Sequence, residues 1–435
     1  MPFASDAVAG GAGGHLMVLG HGFADAADLP IPLQTALLIA GGAVLGAAAL
    51  ANQRGSRTPK PGRPLPGLTR LVDAPAFRAT AQVVMLVALI VFAVVALGGV
   101  DRASMNPAPR ALYNVFWPLL LVGSMVFGPV WRVINPLRLV TTTLHRLAGD
   151  ASETTTTPVP PRVGVWPAVG LLAVFVWGEL VIPNRPSQAA AVLTIIAGVL
   201  LVGGLRYGSV WFRHTDPFET ASATLARLAP FRRASDGQLV VGMPRVAGRE
   251  LLAAPGTGAL IAVMIGPHIY DGLAETVWWI NLGYALPATG QVAVDTLLMA
   301  ACIAVVAGLV RVSTVQEPRL RLAWIGLIAV FAFGHYLPVV PLDGQVVYAQ
   351  ISDPFATGAD LFGTAGYGVD VEFMAAEVAA TLLLSGLIIG HAGTMLVGSD
   401  AVAHITDRRT RGAVAFTFQG IVLGSVLAAV GLRFL

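Results

Sequence analysis

Long apolar stretches recur from residue 33 almost to the C-terminus, separated by short polar segments. Each is about 18 residues or longer, which is enough for an α-helix to cross the hydrocarbon core of a bilayer. The pattern predicts ten membrane-spanning helices, at 33–52, 79–99, 111–131, 164–182, 188–205, 256–280, 290–310, 322–341, 376–398 and 413–432. We therefore expect an all-α protein, a polytopic bundle of about ten transmembrane helices.

The polar segments show which side of the membrane each connection faces. Of the 27 Lys and Arg residues, 23 lie in alternate connections, namely 53–78, 132–163, 206–255, 311–321 and 399–412. The other four are Arg102, Arg110, Arg185 and Arg433. Because Lys and Arg concentrate in cytoplasmic loops, these five segments are predicted to face the cytoplasm. Both termini are then extracytoplasmic.

Composition agrees with a membrane protein. The chain is 55% hydrophobic and 12% charged, whereas soluble domains carry about 25% charged residues. The excess of basic over acidic residues therefore reflects membrane topology, and the predicted partner is the lipid bilayer rather than a nucleic acid. The single cysteine, Cys302, excludes an intrachain disulfide and any multi-cysteine metal site.

The chain divides into a Gly- and Ala-rich exported tail, 1–32, and one transmembrane domain, 33–435. Within the cytoplasmic segment 206–255, Asp216, Pro217 and Glu219 form a capping-box pattern that predicts an amphipathic helix at the inner interface. INPLRLVTTTLHRL (134–147) begins in the same way. The outer segment 342–375 is acidic, rich in Gly and aromatic residues, and predicted to be ordered. We find no convincing internal repeat.

The stretch IGPHIYDGLAETVWW (265–279) places three ionisable residues in a predicted membrane span. His268, Asp271 and Glu275 are three and four residues apart, so they share one face of a helix. An acid in the hydrocarbon core costs a few kcal/mol unless it is paired, protonated or facing water. Asp295 and His335 lie at similar predicted depth, in the outer half of the bilayer.

Imidazole and carboxylate without thiolate suit Zn²⁺, or another divalent ion such as Mn²⁺ or Fe²⁺. We expect His268, Asp271 and His335 to be the metal ligands. Glu275 or Asp295 would be the general base towards a metal-bound water, and the outer segment would cover the site. The metalloprotease motif HExxH is absent.

Simpler interpretations of these residues remain open. Glu275 precedes Trp278 and Trp279, so its side chain could reach headgroup water. A single intramembrane His is more often a hydrogen-bonded packing residue than a metal ligand. Asp216 and Asp353, each followed by Pro-Phe, are more typical of helix caps than of ligands.

Several short motifs occur in one order along nearly the whole chain. They are HGFADAADLPIP (21–32), INPLR (134–138), DPFE (216–219), YDGLAET (270–276), GHYLPVVPLDGQ (334–345), SDPFATGADLFGTA (352–365) and GHAGTML (390–396). In these motifs the chain resembles the actinobacterial fenitrothion hydrolase-like family of polytopic membrane proteins. The resemblance implies a hydrolase of phosphotriester-like small molecules in the bacterial plasma membrane; the metal is predicted from the His and Asp residues alone. The resemblance transfers no catalytic residue to this sequence.

Two other classes of function compete with the hydrolase. An ion- or proton-coupled transporter would use the same intramembrane His, Asp and Glu as a relay, and predicts broken helices. Gly266-Pro267 is the one candidate break. A non-catalytic subunit would instead present an exposed face to a membrane-complex partner or to a second copy of the chain.

Overall fold

The computed structural model describes residues 29–53, 62–149, 159–242, 254–403 and 405–434, and 76% of it is helical. In chain order the helices are α1 (Leu33–Gln53), α2 (Pro66–Asp73), α3 (Pro75–Gly98), α4 (Ala108–Phe127), α5 (Val130–Ile134), α6 (Pro136–Leu147), α7 (Trp166–Leu180), α8 (Pro186–Tyr207), α9 (Ser209–Thr215), α10 (Pro217–Leu225), α11 (Thr257–Ala274), α12 (Val277–Tyr284), α13 (Ala288–Thr314), α14 (Arg321–Gln350), α15 (Ala376–Val402) and α16 (Arg408–Phe434). Most of the N-terminal tail lies outside the described residues.

Within the described part of the chain, nine helices are long and apolar enough to cross a membrane. They are α1, α3, α4, α7, α8, α13, α14, α15 and α16, and each coincides with a predicted span. The remaining predicted span, 256–280, is α11 followed by a turn and the start of α12. The predicted class, a polytopic helical membrane protein, is confirmed.

Two hydrophobic cores hold the helices together. The larger core joins α4, α7, α8, α11 and α14 with the short helices between them. The smaller core joins α1, α15 and α16 to one side of α14. Helix α14 therefore contributes to both cores, and α11 packs between α7, α13 and α14.

Two parts of the chain share the same local structure: a glycine with positive φ, a short helix and then a capped helix. Only the capped helix starts were predicted from the sequence. After α4 and after α8 comes a glycine with positive φ, Gly128 at 92° and Gly208 at 66°. A short helix follows each glycine and ends at a capping residue, Asn135 or Asp216. Each cap accepts hydrogen bonds from the next two backbone N–H groups after the proline that begins the following helix. The predicted helix starts are thus confirmed at both places.

The two capped ends meet inside the molecule. The Asn135 side-chain amide donates to Asp216 Oδ2 at 2.7 Å, and Trp131 Nε1 donates to the same oxygen at 2.9 Å. Glu219 is only 1% exposed and accepts a hydrogen bond from the Arg138 guanidinium at 2.7 Å. In a capping box it would instead accept from the backbone N–H of Asp216. Helix α10 is buried along almost its whole length, so it packs as a core helix and presents no exposed polar face.

A small antiparallel sheet joins two of the predicted cytoplasmic segments. Its strand order is β1 (Arg63–Pro64), β3 (Leu239–Val241) and β2 (Phe231–Arg233). Beside the sheet, Asp73 forms ion pairs with Arg78 and Arg233, each at 2.6 Å. The Arg233 guanidinium lowers the pKa of the Asp73 carboxyl.

Candidate functional site

Helix α11 carries the polar residues of the candidate site. His268 and Asp271 lie in its last two turns, and Glu275 is the residue after its end. The helix continues through Pro267, so the predicted break at Gly266-Pro267 does not occur. Gly266 instead allows close packing, because a Cβ there would lie 2.7 Å from the Ile303 Cα of α13.

Helix α14 brings His335 against this face. Its Nδ1 lies 3.0 Å from Asp271 Oδ2, and the two side chains are only 8% and 16% exposed. The His268 ring is 5.0 Å from the His335 ring, centroid to centroid. His268 Nδ1 is buried and has no hydrogen-bond partner among the described residues. The three predicted ligands are therefore neighbours in the fold.

A second polar pair lies directly behind the histidines. Tyr336 donates its hydroxyl proton to Glu179 Oε1 at 2.7 Å, and Glu179 is 7% exposed. The Tyr336 ring is 4.4 Å from the His335 ring and 5.7 Å from the His268 ring. Neither Glu179 nor Tyr336 was predicted to belong to the site, although Tyr336 is the neighbour of His335 in GHYLP.

A cavity of about 80 Å³ borders the cluster. Its walls come from α11, α14, α15 and α16, at the junction of the two cores, and include His268, Asp271, Glu275 and His335. A polar cavity of this size is large enough to hold ordered water. The outer segment forms none of this wall within the described chain, contrary to the expectation that it covers the site.

Asp295, the other predicted general base, lies elsewhere. Its Oδ1 accepts a hydrogen bond from Trp279 Nε1 at 2.7 Å, and it does not line the cavity. Of the two residues proposed as general base, the fold therefore brings only Glu275 to the cluster.

Two further polar residues have structural partners. His391 Nδ1 donates to the Leu387 carbonyl at 2.7 Å, which leaves Nε2 to accept from the Ser425 hydroxyl at 3.1 Å. It is a packing histidine. Asp353 accepts hydrogen bonds from the backbone N–H groups of Thr357 and Gly358, so it closes a turn of the outer segment.

The C-terminal half of α14 is fixed by a separate ion pair. Asp343 accepts from Arg110 Nε at 3.0 Å and from the Asn114 amide at 2.6 Å. Asn114 lies in a π-helical stretch of α4, Ala111–Phe116, an irregularity that often marks functional sites. Arg110, counted from sequence at the outer membrane edge, thus has a partner on a neighbouring helix.

The cluster has the donor types of a metal site but not its arrangement. Across the described residues, no group of three or more His, Cys, Asp or Glu side chains is positioned to hold a metal ion. Asp271 and His335 are turned towards each other rather than towards a common point.

Comparison of the chain with family models, with curated proteins and with solved structures gives no match. Fold and site together define the class of this protein. It is a multi-pass α-helical membrane protein with a partly buried cluster of His, Asp, Glu and Tyr residues beside a small cavity.

Proposed function

We propose that this protein is a proton-coupled membrane carrier whose coupling site is the His268–Asp271–His335 cluster. The observation that carries the proposal is the 3.0 Å contact between His335 and Asp271 inside the bundle. A carboxylate and an imidazole at hydrogen-bond distance can share and exchange a proton, and intramembrane pairs of this kind are typical of proton relays.

The pairs around the cluster support a relay rather than an isolated site. Behind the two histidines, Tyr336 and Glu179 supply another hydroxyl–carboxyl contact at 2.7 Å. In front of them lies the cavity, which Glu275 also lines. Side chains that can exchange protons therefore extend from Glu275 at the cavity to Glu179 in the core of the bundle.

The predicted orientation puts the cavity in the outer half of the plasma membrane. Helix α11 would start at the cytoplasmic side, since the preceding segment 206–255 carries seven of the basic residues. His268 and Asp271 then lie beyond its midpoint. Protons would enter the cluster from the extracytoplasmic side.

A metal-dependent hydrolase is the second candidate function. The unpartnered His268 Nδ1 favours it, because a buried imidazole nitrogen without a hydrogen bond is a free donor for a cation. His268, His335 and Asp271 would bind the ion, which would supply an activated water, and Glu275 would accept its proton. The contact between Asp271 and His335 favours the proton relay, although α11 is continuous through Pro267 and lacks the helix break that a transporter predicts.

Proton movement in proteoliposomes tests the carrier. The full-length protein is reconstituted, a potassium diffusion potential is imposed, and the internal pH is followed with a trapped dye. The relay is proposed to pass protons down the imposed potential without a co-substrate, so we expect proton flux above that of protein-free liposomes. This flux should be lost in Asp271→Asn and His335→Gln. His391→Gln is the matched control, since it alters a buried histidine that does not line the cavity. Equal flux in the wild type and in Asp271→Asn would refute the proposal.

Elemental analysis of the same preparations separates the two functions. The hydrolase requires about one equivalent of a transition metal per chain, lost in a His268→Ala/His335→Ala double variant. The carrier requires proton flux in protein that holds no such metal.

A further inference from the structure

A second cavity, of about 210 Å³, lies between α3, α4, α6, α8 and α10, away from the polar cluster. We propose that it binds a hydrocarbon chain of a lipid from the surrounding bilayer. This inference concerns ligand binding and does not depend on the proposed function.

The shape of the cavity fits an extended chain. On α3 the lining residues are Met85, Ala88, Leu89 and Phe92, spaced as one helix face. On α8 the lining residues run from Leu193 to Leu200 with the same spacing. Seven residues of helix rise about 10 Å, so the lining extends about 10 Å along both helix axes. Because α3 and α8 are both membrane spans, a chain inside it would lie parallel to the neighbouring lipid chains.

The lining offers nothing to a polar ligand. Leu, Ile, Ala, Met and Phe side chains form nearly all of it. Trp131 is the exception, and its ring N–H already donates to Asp216 on the other side. A cavity without polar partners does not hold ordered water. Left empty, its walls would forfeit the dispersion contacts that a bound methylene chain restores.

The entrance faces the lipid. Ala88 lines the cavity and is itself exposed, in the middle of a helix whose outward residues are Val84, Val87 and Val91. Deeper in the cavity, Ala197 is half-buried and Ile196 is 2% exposed. A chain can therefore enter sideways, past one small side chain, without crossing a headgroup region.

Photolabelling tests the inference. The full-length protein is reconstituted with a phospholipid that carries a diazirine in the middle of one acyl chain, and labelled residues are mapped by mass spectrometry. We expect labelling of Ile196, which a lipid on the outer surface of the bundle cannot reach. Labelling confined to outward residues such as Val84 and Val87 would overturn the proposal.

Two variants make the test specific. Ala197→Phe fills the cavity and Ala88→Phe closes its entrance, so both should abolish labelling of Ile196. Ala191→Phe is the matched control, because Ala191 is exposed on the same helix and does not line the cavity. Labelling of Ile196 that persists in both cavity variants would also overturn the proposal. If neither variant folds, the wild-type map alone decides.

Discussion

At the scale of single residues, the site depends on how closely two helices approach. His268 and Asp271 reach His335 because α11 is buried against α13 and α14. Gly266 allows the close packing of α11 on α13, since an added Cβ would come within 2.7 Å of the Ile303 Cα and 2.8 Å of its backbone nitrogen. Backbone atoms cannot move aside as the end of a side chain can, so the position is closed to any larger residue.

Gly266→Ala should therefore destabilise the protein by about 1–3 kcal/mol, the usual cost of overpacking. The measurement is the thermal unfolding midpoint in detergent. Gly258→Ala, about two turns earlier in α11, is the control, because its Cβ would meet only Val310 Cγ1 of α13 at an ordinary 3.6 Å. Equal midpoints for the two variants would show that the contact with Ile303 does not constrain α11.

The three-and-four spacing placed His268, Asp271 and Glu275 on one helix face, and the structure brings all three to one cavity. Spacing within a helix is local, so it could be predicted. The hydrogen bond between Tyr336 and Glu179 joins α14 to α7, and the two residues are 157 positions apart in the sequence. Hydrophobic periodicity carries no information about such contacts, because almost every face of these helices is apolar.

At the scale of elements, the two capped helices α6 and α10 are the most unusual feature. Helix α6 packs against α3 and α8, and α10 packs against α7 and α4. Their capping residues contact each other, and the third residues of the two helices, Arg138 and Glu219, form an ion pair. Each helix start was predictable from its Asn-Pro or Asp-Pro dipeptide. Their mutual contact was not, since 81 positions separate the two caps.

Exchanging charge between the caps tests this contact. Asn135→Asp would place a second carboxylate at 2.7 Å from Asp216, so we expect a marked loss of stability. The double variant Asn135→Asp/Asp216→Asn restores one amide and one carboxylate and should recover most of it. The measurement is the thermal unfolding midpoint of Asn135→Asp, of Asp216→Asn and of the double variant. A double variant no more stable than Asn135→Asp would contradict a direct cap-to-cap interaction.

At the scale of the whole molecule, the length of the apolar stretches predicted the positions of the membrane-spanning helices well. Nine of the ten predicted spans coincide with long apolar helices of the described chain. The tenth, α11, has 18 residues and owes its polar character to the candidate site itself. Packing among the helices, including the division into two cores, could not be predicted from periodicity.

The orientation of the bundle follows from its charges and can be measured. With 23 of 27 basic residues in alternate segments, we expect the C-terminus to be extracytoplasmic. Alkaline phosphatase, which is active only outside the cytoplasm, should therefore be active when fused after residue 435. The same enzyme fused within 399–412 should be inactive. The reverse pattern would place the cavity in the inner half of the bilayer.

The most direct test of the central claim is pH-difference infrared spectroscopy of the purified protein. We expect a carboxyl band and an imidazole band that change together with pH, because Asp271 and His335 share a proton. Asp271→Asn should remove both changes, whereas Asp295→Asn, outside the cavity, should leave them intact. If Asp271→Asn leaves the wild-type difference spectrum unaltered, the cluster does not exchange protons and the proposed coupling site is wrong.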